Sequence, residues 1–136
     1  MAAFNKFNSF VEALAHGGHN LGSDQLTVAL TNVAPAAGNS ELSDLTEISY
    51  DNLSARNLAR TSSGQTAGTY SLILEDLTLT ASGGSVAEFR YAVIYNSTHA
   101  SGLLIGFYDR GTPVTLQDGE SITLDFTEAQ TLLEIS

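Results

Sequence analysis

The stretch Tyr70-Ser71-Leu72-Ile73-Leu74-Glu75-Asp76-Leu77-Thr78-Leu79-Thr80 decides the fold class. Leu72 and Leu74 fall on one parity and Leu77 and Leu79 on the other. Successive side chains of a strand point to opposite faces, so two apolar runs of opposite parity share a face only if the chain slips by one residue between them. The slip lies at Glu75-Asp76, which predicts a β-bulge or a bend that carries the chain from one sheet to another.

Period-two patterning continues on both sides of this stretch. Downstream, Ser82-Gly83-Gly84-Ser85 is a turn, after which Phe89, Tyr91, Val93 and Tyr95 alternate with Arg90, Ala92 and Ile94. A polar loop, Asn96 to Gly102, leads to strands at Leu103–Asp109, Val114–Leu116, Ser121–Phe126 and Leu132–Ile135. Asp118-Gly119-Glu120 supplies a tight turn between two of them. Upstream, Leu26, Val28 and Leu30 alternate with Thr27, Ala29 and Thr31, the pattern of a half-buried strand. Asn32–Ser43 reads as a loop, Leu45–Tyr50 and Asn57–Thr61 as weaker strands, and Ser62-Ser63-Gly64 as a polar turn. Eight or nine short strands at near-regular spacing predict an all-β, jelly-roll-like antiparallel β-sandwich.

The first residues follow a different period. Phe4, Phe7, Phe10 or Val11, and Leu14 recur every three to four positions; Ser9 with Glu12 forms a capping-box pattern, and Gly17-Gly18 a stop. The spacing predicts a short helix over residues 9–15 preceded by an arm carrying Phe4 and Phe7. Residues 1–22 are accordingly read as N-terminal arm and helix, and 23–136 as a single β-sandwich domain. The arm's rings serve either the core or, if exposed, a neighbouring subunit.

Composition limits the function. The chain has 136 residues, 5 Lys and Arg against 15 Asp and Glu, and a formal charge of −10. That balance excludes binding to nucleic acid and to anionic membranes, both of which need clustered cations. Absence of cysteine removes disulfides, thiolate metal sites and thiol nucleophiles. The N-terminus shows no apolar run of the signal-peptide kind, so folding in a cytoplasm is expected. His16-Gly17-Gly18-His19 could ligate a metal with Asp24, but matches no zinc-ligand spacing. Glu75-Asp76 and Asp118/Glu120 are tested as glycosidase pairs and Asp109, Asp118 and Glu120 as calcium ligands; turn acids exposed to solvent are the simpler reading. There is no Gly-x-Ser-x-Gly elbow and no glycine-rich loop ahead of a helix. No enzyme and no cofactor are expected. Tyr50, Tyr70, Tyr95 and Tyr108, near strand ends, suit a subunit interface, where amphipathic rings are favoured.

The runs AFNKFNSFVEALAHGGHNLGSDQLTVALTN, ELSDLTEISYDN, LEDLTLTASGG, FRYAVIYN and LQDGESITLDF, which together reach from Phe4 to about Phe126, resemble small structural proteins of tailed bacteriophages. Specifically, the chain resembles capsid decoration, or cement, proteins with a jelly-roll-like sandwich. It departs from them after Leu104-Ile105-Gly106, where Phe107-Tyr108-Asp109-Arg110-Gly111 replaces bulkier aromatics and a Tyr-Gly pair. The resemblance implies a virion protein assembled in the host cytoplasm onto the capsid exterior. Its implied partners are the major capsid protein, at junctions between shell subunits, and itself, as a homo-oligomer of trimeric type. Phe4, Phe7, Phe10 and Tyr108 are then the partner-binding residues, and truncation before Ser9 should abolish binding without unfolding the sandwich. The alternatives are a tail or head-fibre component, or a carbohydrate- or receptor-binding module with a groove at Tyr95, Tyr108 or Asp109 and a bound calcium ion.

Overall fold

The structure is a computed structural model that describes residues 4–126 and 133–135. In chain order it runs β1 (Asn5–Lys6), α1 (Asn8–Ala15), β2 (Leu26–Thr31), a 3₁₀ turn (Leu42–Asp44), β3 (Arg60–Thr66), β4 (Thr69–Leu74), β5 (Leu77–Thr80), β6 (Phe89–Asn96), β7 (Leu103–Val114), β8 (Ser121–Leu124) and β9 (Leu133–Ile135). All pairings are antiparallel: a four-stranded sheet β1-β7-β6-β2, a three-stranded sheet β3-β4-β9 and a two-stranded sheet β5-β8. This is the expected all-β sandwich with one short helix.

The parity slip at Glu75-Asp76 is a change of sheet. β4 pairs with β3 and β9, whereas β5 pairs with β8. Leu72, Leu74 and Leu79 nevertheless bury their side chains in one core, because the bend re-aims the second run. Asp76 holds the bend from its side chain, Oδ1 accepting from the Phe126 N–H at 2.9 Å. This main core lies between the four-stranded sheet (Leu26, Val28, Leu30, Ala92, Ile94, Ile105) and the two smaller sheets, with Phe10 of α1 at one side.

The other face of the four-stranded sheet is also covered. Phe7, Ala29, Val93, Tyr95 and Leu104 form a second core, closed by Leu42, Leu45 and Phe107. Hence β2 is buried at every position rather than half-buried. Its free edge is clasped by an irregular segment: Ile48 N–H donates to Leu30 O at 3.0 Å, Val28 N–H to Arg56 O at 3.0 Å and Leu58 N–H to Leu26 O at 2.9 Å. Tyr50 fastens the clasp, its hydroxyl accepting from Leu30 N–H and donating to Glu47, under the Arg56 guanidinium 3.5 Å above its ring. The residues Leu45–Tyr50 read as a strand thus make only a bridge, Thr31 to Glu47.

Two further local readings change. Ser62-Ser63-Gly64 is strand, not turn: it lies inside β3, an exposed edge strand whose polar side chains mimic turn composition. The reversal comes instead at Ala67-Gly68, with φ of 53° and 85°, values suited to a two-residue hairpin. In β7, Arg110–Pro113 bulge out between the pairs Tyr91–Asp109 and Phe89–Val114, which turns Phe89 into the main core while Tyr91 faces Phe107 on the other side. Leu132, expected at the start of the last strand, lies outside the described residues.

Candidate functional site

Four residues are expected to bind a partner, and the structure places all four within the chain's own packing. Phe7 is 0 % exposed and Phe10 is 2 % exposed. Phe4 and Tyr108 are half-buried and pack in a tilted contact with ring centroids 5.5 Å apart, Tyr108 continuing to Phe126 at 5.8 Å. The arm therefore docks in cis. Asn5 and Lys6 pair with Phe107 and Gly106, and Phe7 N–H donates to Ile105 O at 3.1 Å. Gly106 suits this close approach, since a Cβ would overlap the Phe4 ring and stand 2.9 Å from the Asn5 carbonyl oxygen. The expectation of an exposed docking arm is corrected: large rings next to an apolar sheet gain more from burial than from solvent. Truncation before Ser9 would remove core, so the sandwich would not survive it intact. Nor are residues 1–22 set apart from the sheet, because β1 is one of its strands.

Burial at Tyr108 pushes its hydroxyl pKa upward, so the phenol stays protonated. It lines a cavity of 280 Å³ with Phe89, Ala92, Leu124 and Phe126, near Arg90 and Arg110. Arg90 is held by Asp109 through two hydrogen bonds, at 2.8 Å and 3.0 Å, and Arg110 by Thr112. Tyr95 sits in the second core, so Tyr95, Tyr108 and Asp109 do not line one groove. The turn acids bond turn amides: Asp118 accepts from Gly83 N–H of the preceding turn at 3.1 Å, and Glu120 from Gln117 N–H of its own turn at 2.7 Å.

A polar cluster that sequence reading did not assemble lies between the end of α1 and the end of β6. Asn96 is fully buried. Its Oδ1 accepts from Thr98 N–H at 3.0 Å and His99 N–H at 3.3 Å, which fixes the amide orientation. Its Nδ2 therefore donates, to Asp24 Oδ2 at 2.7 Å and to His19 Nδ1 at 3.1 Å. Since Nδ1 accepts, the His19 ring is neutral with its proton on Nε2. Burial lowers the His19 pKa, with Asp24 opposing and His99 adding to the effect. Asp24 also accepts from Asn20 N–H at 2.8 Å; that bond, the Asn96 bond and the nearby His19 and Arg60 hold its pKa below the usual carboxylate range. His19 and Asp24 thus meet through Asn96, while His16 stays exposed at the helix end. Among the described residues no three His, Asp or Glu side chains are grouped to hold a metal ion. The legible signal was an asparagine closing the apolar run Phe89–Tyr95, a position where a strand end needs a side chain to satisfy loop amides.

Comparison with protein-family models, with curated proteins and with solved structures found no match to this chain.

Proposed function

We propose that the chain is a non-enzymatic structural protein of a tailed-bacteriophage virion that decorates and stabilises the capsid exterior at junctions between major capsid subunits. The observation that carries this reading is the resemblance in the five runs between Phe4 and Phe126. Two physical features support it. A four-stranded sheet with apolar packing on both faces makes a stiff body, which suits a clamp on a shell. The net charge of −10 favours a basic partner face and gives long-range attraction to it.

Because Phe7 and Phe10 are spent internally, the grip on the shell is made by the polar, acidic surface. Val11 and Val33, at 53 % and 58 % exposure, are its large exposed hydrophobic side chains among the described residues. Such contacts are individually weak, so a homo-oligomer that engages several shell subunits together provides the affinity. Quantitative mass spectrometry of purified particles tests the proposal. A copy number comparable with that of the major capsid protein is expected. A handful of copies per particle would relocate the chain to the tail, and its absence from particles would overturn the virion role.

A further inference from the structure

Beside the Asn96 cluster is an open cavity of 460 Å³, walled by the last turn of α1, the loop after it and the β3–β4 hairpin. Leu14, His19, Asn20, Gly22, Ser63 and Tyr70 contribute to its wall, which carries no charged side chain among the described residues. Three observations bear on what it holds.

His19 is 6 % exposed, and its Nε2, protonated by the argument above, has no hydrogen-bond partner among the described residues. A buried N–H without an acceptor costs about 1–3 kcal/mol, so an oxygen that meets it gains in proportion. His19 is one of the residues that line the cavity, and its Nε2 is covered by the chain, so a ligand oxygen reaches it only when the wall around the ring shifts. Next, Ser63 Oγ and Tyr70 Oη are 2.6 Å apart. Whichever of them donates, the other keeps one hydroxyl proton to give, and both keep lone pairs to receive. Finally, Gly22 opens the mouth. A Cβ there would stand 3.4 Å from Asn20 Oδ1 and 3.8 Å from Ser63 Oγ, within the cavity and without a clash.

A fixed N–H donor, a pair of hydroxyls that both give and accept, and an aromatic side chain match a ligand that carries several neutral hydroxyl groups on a saturated ring. Anions are opposed by the overall charge and by Asp24 nearby, and cations by the His19 N–H. We propose that this cavity binds a neutral saccharide, one ring or hydroxyl oxygen accepting from His19 Nε2 and the others bonding Ser63 and Tyr70. The inference does not depend on the virion role: particle copy number and sugar binding fail separately.

The test is a ¹H–¹⁵N NMR titration of the full chain with glucose, galactose, mannose and N-acetylglucosamine in turn. Saturable shift changes at Asn20–Gly22, Ser63 and Tyr70 are expected with at least one of the four. Gly22→Val, which fills the mouth at an exposed position, should weaken that binding by at least ~10-fold while leaving the other resonances in place. His19→Phe keeps ring volume and removes the donor; if it does not fold, Gly22→Val still decides. No saturable change with any of the four sugars, changes that map elsewhere, or binding undiminished in Gly22→Val would each overturn the proposal.

Discussion

The two faces of the four-stranded sheet are closed by different means. On one face, strands meet strands: Leu26, Val28, Leu30 and Ile94 pack against Leu72, Leu74 and Leu79. On the other, Ala29, Val93, Tyr95 and Leu104 are covered by Phe7 of the arm and by Leu42 and Leu45 around a 3₁₀ turn. Both faces are covered by apolar side chains, yet only the first cover is built mainly from strands. Leu42 and Leu45 are only partly buried, but Phe7 is as fully buried as Leu72, Leu74 and Leu79, and burial energy follows area and not secondary structure.

If that equivalence holds, Phe7→Ala should cost about 3–5 kcal/mol of unfolding free energy, no less than the ~2–5 kcal/mol of Leu79→Ala. Urea denaturation followed by circular dichroism measures both; a negligible loss for Phe7→Ala would restore the exposed arm and break the comparison. Asn96→Ala comes next, at about 1–3 kcal/mol, because it strands the Thr98 and His99 amides beside the second core's strand end.

A pH series sharpens the same region. The His19 pKa is lower in the folded chain than in the unfolded one. Its contribution is therefore complete above the unfolded value of about 6.5 and is lost as pH falls through the lower folded value, with a slope of at most ~1.4 kcal/mol per pH unit. Asp24, also depressed, adds to the loss only in the carboxylate range below. His19→Gln should flatten the decline just below pH 6.5, and an unchanged slope would remove His19 from the account. The smallest effect is expected at Arg90→Ala. Its pair with Asp109 is only partly buried, at 35 % and 37 % side-chain exposure, so the loss should stay within about 1 kcal/mol.

The fold class was legible because period-two alternation survives in a single sequence. The change of sheet at Glu75-Asp76 is the clearest instance, since two opposite parities cannot both face one core from a single straight strand. The polar cluster was not legible. His19 and Asp24 could be grouped from their nearness in sequence, and Asn96 stood out only as the residue closing a strand, 77 positions from His19, with nothing to join it to them. The cavity is hidden for the same reason, because Gly22 and Ser63 share a wall only after β3 is laid beside the loop that follows α1.

By itself the sequence determined the all-β class, the short helix, the parity slip at Glu75-Asp76, the net acidity and the lack of thiols. Those depend on side-chain period and on counts of charge and cysteine, which do not need a partner segment to be meaningful. Tertiary structure alone decided that Phe7 and Phe10 are core, that Ser62-Ser63-Gly64 is an edge strand, and that β2 has no exposed face. Each of those outcomes depends on which segment covers another, and burial is a property of the pair.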